Sequence, residues 1–172
     1  MNQTWWTVLT AVAGLGMAAC LYAMHGTGRG IPGLKALDGG FQSLDMRFHY
    51  GSDQAFACLD GVGSAGRPLL RGFWLIDFAF IACFLMVMLA ITRNTAQIAA
   101  VRYGMYAAAM LRALLDAVEN AMLLRVCAAY PEKRLCGLAA AAGYVTSAKW
   151  ITLGVWLLGL FAGLFASAFE LI

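Results

Sequence analysis

The stretch from Arg112 to Asn120, RALLDAVEN, carries a base, two acids and an amide at successive spacings of four, three and one. On an α-helix, Arg112, Asp116 and Glu119 then share one face, with Asn120 alongside. An acidic pair one turn apart can accept a proton, hold a cation or supply half of a metal site. The residues around it are apolar, so the face belongs to a helix at membrane depth. A charge at the bilayer centre costs about 2.5–3.5 kcal/mol on insertion scales, and none of these side chains can face lipid. They must point into a bundle or a water-filled cavity, and other helices must bring their partners.

Asp77 and Lys149 stand in the neighbouring apolar runs. Counting about 1.5 Å per residue from the polar markers Arg93, Arg102 and Glu170 brings Asp77, Asp116, Glu119 and Lys149 together in one half of the membrane. Arg112 lies deeper. Two roles follow for these groups. They form an ion network, Arg112 with Asp116 and Lys149 with Asp77 or Glu119, or they form a site. As a site, Asp77, Arg112, Asn120 and Lys149 would hold a polar ligand, and Asp116 or Glu119 would serve as acid and base.

The elements that must position these groups follow from composition. Of 172 residues, 62% are hydrophobic and 12% charged, with a mean hydropathy of +0.75. An average soluble domain is near half apolar and a quarter charged, so the chain is expected in a membrane. Four apolar segments stand out, at about 5–24, 72–92, 97–126 and 138–169. A hydrocarbon core of ~30 Å needs about 20 helical residues, and these runs are continuous rather than alternating. The expected fold is all-α: one membrane domain, a four-transmembrane-helix bundle, with a long loop at 25–71 holding a short amphipathic helix. The first segment reads as a retained helix. MNQTWW has no Lys or Arg, and the apolar run continues through MAAC at 17–20 to Leu21 and Tyr22.

Four spans place both termini on one side. The long-loop side then holds Arg29, Lys35, Arg47, Arg67, Arg71, Arg125, Lys133 and Arg134, against Arg93 and Arg102 on the other. The excess points to cell-membrane insertion with cytoplasmic long loops and external termini, although Asp38, Asp45, Asp53 and Asp60 offset the long loop's cations.

The stretch DGVGSAGRP at 60–68 spells Gly-x-Gly-x-x-Gly, with Arg67 behind it. A dinucleotide fingerprint needs a strand before and a helix after, within a βαβ unit. Here SDQAFACLD precedes it, a short helix with Ser52 as N-cap and Phe56 and Leu59 on one face. The glycines therefore read as a flexible turn that aims the second span. Backbone N–H groups at that helix start, with Arg67 and Arg71 beside them, offer a lipid phosphate a site.

The long loop adds Asp45, Arg47, His49, Tyr50, Asp53 and Asp60. His49 is the candidate that would complete a general-base or divalent-metal arrangement over the carboxylates. No HExxH, second close histidine or repeated aspartate pattern supports a metal, and nothing identifies a cofactor. Thr146, Lys149 and Trp150 mark where the last span enters the membrane, with Trp5, Trp6, Trp74 and Trp150 suited to an aromatic belt. Small residues recur every fourth position at Gly159, Gly163 and Ser167, at Ala139, Gly143 and Ser147, and at Gly14 and Ala18. They pack helices within the bundle, or form a homodimer contact through Gly159 and Gly163. Cys58, Cys127 and Cys136 fall in or beside loops on one side, where an oxidising compartment would allow a disulfide.

The spacing of Asp77, Asp116, Glu119 and Lys149 matches neither the aspartate array of CDP-alcohol phosphotransferases nor the paired cysteines of four-helix disulfide-forming quinone reductases. The bilayer is the expected partner, and a net charge of +3 without a basic stripe excludes nucleic acid. Three functions fit: binding a lipid headgroup or small polar ligand at the charged cluster, an enzyme acting on a lipid or isoprenoid, or a transport or assembly subunit.

Overall fold

The structure is a computed structural model that describes residues 3–169. Met1, Asn2 and the depth marker Glu170 lie outside the described residues, as does the side chain of Ser167. Among the described residues six helices follow in order: α1 Gln3–His25, α2 Ile31–Leu37, α3 Ser52–Gly61, α4 Gly63–Thr95, α5 Ala99–Ala129 and α6 Cys136–Ala168. Among the described residues there is no strand.

Three of the helices, α1, α4 and α6, are long and apolar enough to cross a membrane. Their apolar residues run all round the helix, as lipid-facing helices require. In α1 the buried residues are Ala13 and Met24, so nearly the whole surface is left outward. α5 spans 31 residues, about 46 Å at the helical rise, but its charges make it less apolar.

The long helices stand in a row rather than a closed bundle. α1 packs on α4, α4 on α5 and α5 on α6, while α4 and α6 share a smaller contact in which Trp156 Nε1 donates to Thr92 at 2.9 Å. The start of α1 and the later part of α6 lie beside the 96–98 turn. Arg93 donates to the Gln3 side chain at 3.2 Å, and Gly163 sits against the Thr95 carbonyl. At the opposite end lie the connection from α1 to α4 and the turn between α5 and α6.

That connection is more ordered than a loop. α2 and α3 bury Leu34, Ala55, Phe56, Cys58 and Leu59 against Leu70, Phe73, Leu123 and Val126 at the ends of the long helices. Ser52 is the first helical residue and not the cap. Gly51 caps, and Gln54 reaches back to its N–H at 3.0 Å. The expected flexible turn at 60–68 shrinks to a joint at Val62 and Gly63. Gly63 takes φ +64°, a left-handed conformation that favours glycine, and α4 begins there instead of near residue 72.

The small residues pack internally. A Cβ on Gly159 would meet Met105 at 2.7 Å, and one on Gly163 would meet Thr95 at 2.8 Å, so the chain itself fills this stripe. On α1 the close approach belongs to Gly16, opposite Cys83, whereas Gly14 has open space. Gly143 lies directly beneath the Tyr50 backbone, where any Cβ would collide with the Tyr50 carbonyl. Trp74 is not a belt residue: it is 1% exposed, inside the core under the connection.

Candidate functional site

The charged face of α5 turns inward. Arg112, Asp116, Glu119 and Asn120 are all buried, as are Asp77 on α4 and Thr146 and Lys149 on α6. Lys149 Nζ, which does not snorkel, lies 2.9 Å from Asp116 and 2.6 Å from Glu119. Arg112 Nη2 reaches the other Asp116 oxygen at 2.8 Å. Asp77 stands apart from Lys149 in this pairing and accepts from Asn120 at 2.7 Å.

Both Glu119 oxygens are engaged. Besides Lys149, Glu119 accepts from Thr146 at 2.6 Å and from the Tyr50 phenol at 3.1 Å. Burial, and then the Glu119 carboxylate itself, push the Tyr50 phenol above its ordinary range, so Tyr50 remains a donor. The two carboxylates proposed as acid and base, Asp116 and Glu119, therefore both hold cations or hydroxyl donors.

Tyr50 reaches this depth because residues 45–50 are clamped along α6. Ser147 Oγ donates to the Phe48 carbonyl at 2.9 Å, and Trp150 Nε1 to the Arg47 carbonyl at 3.0 Å. Lys149 Nζ lies 3.4 Å from the Asp45 carbonyl. Trp150 thus anchors the connection as well as lining the helix. His49 is exposed and does not cover the carboxylates. Its Nδ1 lies 3.1 Å from the Gly143 carbonyl and its ring against Tyr144, while its neighbour Tyr50 takes the inward position.

Between α4, α5 and α6 lies a cavity of about 230 Å³. α5 contributes Arg112 and Asp116, α6 contributes Lys149, Trp150 and Leu153, and α4 contributes Asp77, Phe80 and Phe84, with Asp45 and Met46 of the connection completing the wall. Arg112 is 8% exposed, and its Nε and Nη1 are buried without a hydrogen-bond partner. Its guanidinium lies over the Phe84 ring, 4.6 Å from the centroid. Unsatisfied buried donors of a cation are costly, so this is where the network is incomplete.

Arg67 and Arg71 belong to another place. Arg67 donates to the Gly63 and Tyr130 carbonyls, both at 3.2 Å, and Arg71 donates to the Cys127 carbonyl at 3.1 Å. Two of these three acceptors close the C-terminal end of α5, where backbone carbonyls lack helical partners and cations are favourable. Asp60 and Tyr130 are hydrogen-bonded beside them, with Arg134 at 3.4 Å from Asp60. Asp53 is exposed on the first turn of α3.

All five cysteines are free thiols. Burial pushes the Cys58 thiol up to about 12, which makes it a packing residue rather than a nucleophile. Among the described residues no group of three or more His, Cys, Asp or Glu is placed to hold a metal. Sequence reasoning assigned no role to Thr146 in the cluster and did not single out Tyr50 above its neighbours. The helical spacing of Thr146 and Lys149, three apart on α6, was the available signal for the first. No family model matches the chain, and none of the curated proteins or solved structures compared with it is detectably similar.

Proposed function

We propose that the chain is a multi-pass membrane protein that binds the polar head of a lipid-soluble ligand in the cavity between α4, α5 and α6. The observation that carries this reading is the wall of the cavity, where Asp77, Arg112, Asp116 and Lys149 converge beside Phe80, Phe84 and Leu153. Intramembrane ionisable groups are functional candidates by default, and a site with convergent polar groups on an apolar wall is the usual form of a ligand pocket. α5 is the fourth span in this reading. It packs between α4 and α6 and must cross wherever they cross.

Access is from the bilayer. α4 and α6 meet near the 96–98 turn, where Trp156 donates to Thr92 at 2.9 Å, and away from that contact Phe80, Phe84, Trp150 and Leu153 line the space between them. A lipid-soluble molecule slides in laterally with its head toward the charged groups and its tail toward lipid. Arg67 and Arg71, whose donors meet carbonyls, serve in this reading to close α5 rather than to hold a head.

Native mass spectrometry of the gently extracted protein tests the proposal. A reproducible bound mass that Leu153→Trp removes is the expected result. A bare protein under conditions that keep added lipids bound would overturn it. The positive excess supports, in this reading, a cytoplasmic connection and a cytoplasmic Cys136. A membrane-impermeant maleimide should then label the exposed Cys136 only after intact cells are permeabilised.

A further inference from the structure

We propose that the head held in this cavity is a protonated amine, so that the ligand is a lipid-soluble ammonium rather than an alcohol, a fatty acid or a phospholipid. The inference rests on the binding reading above and adds the chemistry of the head.

Donors are the first consideration. Three side chains of the wall carry N–H groups: Arg112, Lys149 and Trp150. Lys149 Nζ has three protons and meets three acceptors, Asp116, Glu119 and the Asp45 carbonyl. Trp150 Nε1 donates to the Arg47 carbonyl. Arg112 Nη2 is paired with Asp116, and its Nε and Nη1 are completely buried. Both cations of the wall are thus already matched to carboxylates, and neither is left for an anionic head.

Acceptors are the second. Asp77 is 5% exposed, and its Oδ2 accepts from Asn120. Its Oδ1 accepts no hydrogen bond among the described residues and, unlike the Arg112 nitrogens, is not sealed in protein. An unpartnered carboxylate oxygen therefore opens on the cavity that Asp77 lines. Asp45 brings a second carboxylate to the wall, with one oxygen bonded by Ser43. An ionised carboxylate can only accept, so the head has to donate.

Charge decides between a neutral donor and a cationic one. The wall holds Asp45, Asp77 and Asp116 against Arg112 and Lys149, and Glu119 beside Lys149 adds a further acid. Four acids against two bases leave a negative excess when all are ionised, in surroundings where charges interact strongly. A carboxylate or phosphate head would enlarge that excess, and a hydroxyl would leave it unchanged. An ammonium reduces it and gives Asp77 a hydrogen bond with charge on both sides.

Size sets the rest. A whole drug-sized ligand occupies roughly 300–1,000 Å³, more than the ~230 Å³ here. The cavity takes a compact head and the first part of a tail, which Phe80, Phe84 and Leu153 cover on its way out between α4 and α6.

The test uses the full chain in phosphatidylcholine nanodiscs and four photoreactive sixteen-carbon probes differing only in the head: primary amine, trimethylammonium, alcohol and carboxylic acid. Cross-links are mapped by mass spectrometry and normalised to those on the outward surface of α1, which corrects for partitioning into the bilayer. The amine should label the peptides holding residues 80–84 and 150–153 about tenfold more than the alcohol or the acid, as expected for one charged hydrogen bond. It should also exceed the trimethylammonium, which carries the charge without an N–H. Asp77→Asn should lower amine labelling about tenfold and leave alcohol labelling unchanged. Leu153→Trp, which leaves every charged group in place, should bring all four probes to background. Equal or stronger labelling of the same peptides by another head, removed by Leu153→Trp, would overturn the amine assignment while supporting a binding cavity. Amine labelling unchanged by Asp77→Asn would do the same. No probe exceeding the Leu153→Trp background would overturn both.

Discussion

The inward face of α5 has two halves that differ in how fully their polar groups are used. In the half toward the connection, Glu119 meets Lys149, Thr146 and Tyr50, brought by two other segments of the chain. In the deeper half, Arg112 has one partner for three nitrogens and borders a cavity. A saturated network gains rigidity and specifies the packing of its neighbours. On the proposed reading the first half holds the fold, and the second half borders the cavity where a ligand would bind.

The largest test of this contrast is Lys149→Met. It leaves Asp116 and Glu119 without their shared cation, and breaking a buried pair in this way costs about 3–5 kcal/mol. A fall in melting temperature in mild detergent should far exceed that of any single change around the cavity. The triple variant Asp116→Asn, Glu119→Gln, Lys149→Met should recover part of the loss, because it removes the stranded charges too. Gly143→Ala comes next, at about 1–3 kcal/mol, since its methyl would drive the Tyr50 backbone off α6. Faster proteolysis within 41–50 would report the loosened clamp. Tyr50→Phe should cost about 1 kcal/mol, one hydrogen bond among the several on Glu119.

Asp77→Asn sharpens the comparison from the other side. Its expected stability change is under about 1 kcal/mol, since Asn120 can still donate to the amide oxygen. Retention of the bound mass in native mass spectrometry should nevertheless fall, since Asp77 lines the cavity. Equal losses of stability in Asp77→Asn and Lys149→Met would erase the distinction between the halves.

The smallest effect concerns Cys58. Its thiol titrates near 12 in the folded protein against 9.0 ordinarily, because burial penalises the thiolate. The unfolded chain loses this proton first as pH rises, so folding stability should decline between about 9 and 12. Maleimide labelling at pH 8 should reach exposed Cys136 well before buried Cys58 and Cys127.

How much of this was legible in the sequence depends on the range of each interaction. The Arg112–Asp116 pair lies within one helix at a spacing of four, and helical periodicity alone places it. Lys149 was legible through the cost of burying unpaired charge, which required a cation near two acids. The choice between its acidic partners was not, because it depends on how α4 and α6 are rotated against α5. In the connection, His49 and Tyr50 differ by one position, and extended chain sends neighbouring side chains to opposite sides. The docking of this segment on α6, at Gly143, Ser147 and Trp150, decides which one turns inward. Arg67 and Arg71 looked like an anion site by composition. Their donors are taken by carbonyls at the end of α5, some sixty residues away in sequence, a distance that local patterns do not bridge.

The row-like order of the long helices has a consequence for how the protein is made. Helices leave the ribosome in sequence, and α1 emerges long before α4, on which it packs. Being apolar all round, it can wait in lipid alone. α5 has no such freedom, because Asp116 and Glu119 remain without their lysine until α6 follows. On the four-span reading α5 therefore integrates together with α6, and the second half of the chain settles only once Lys149 has emerged.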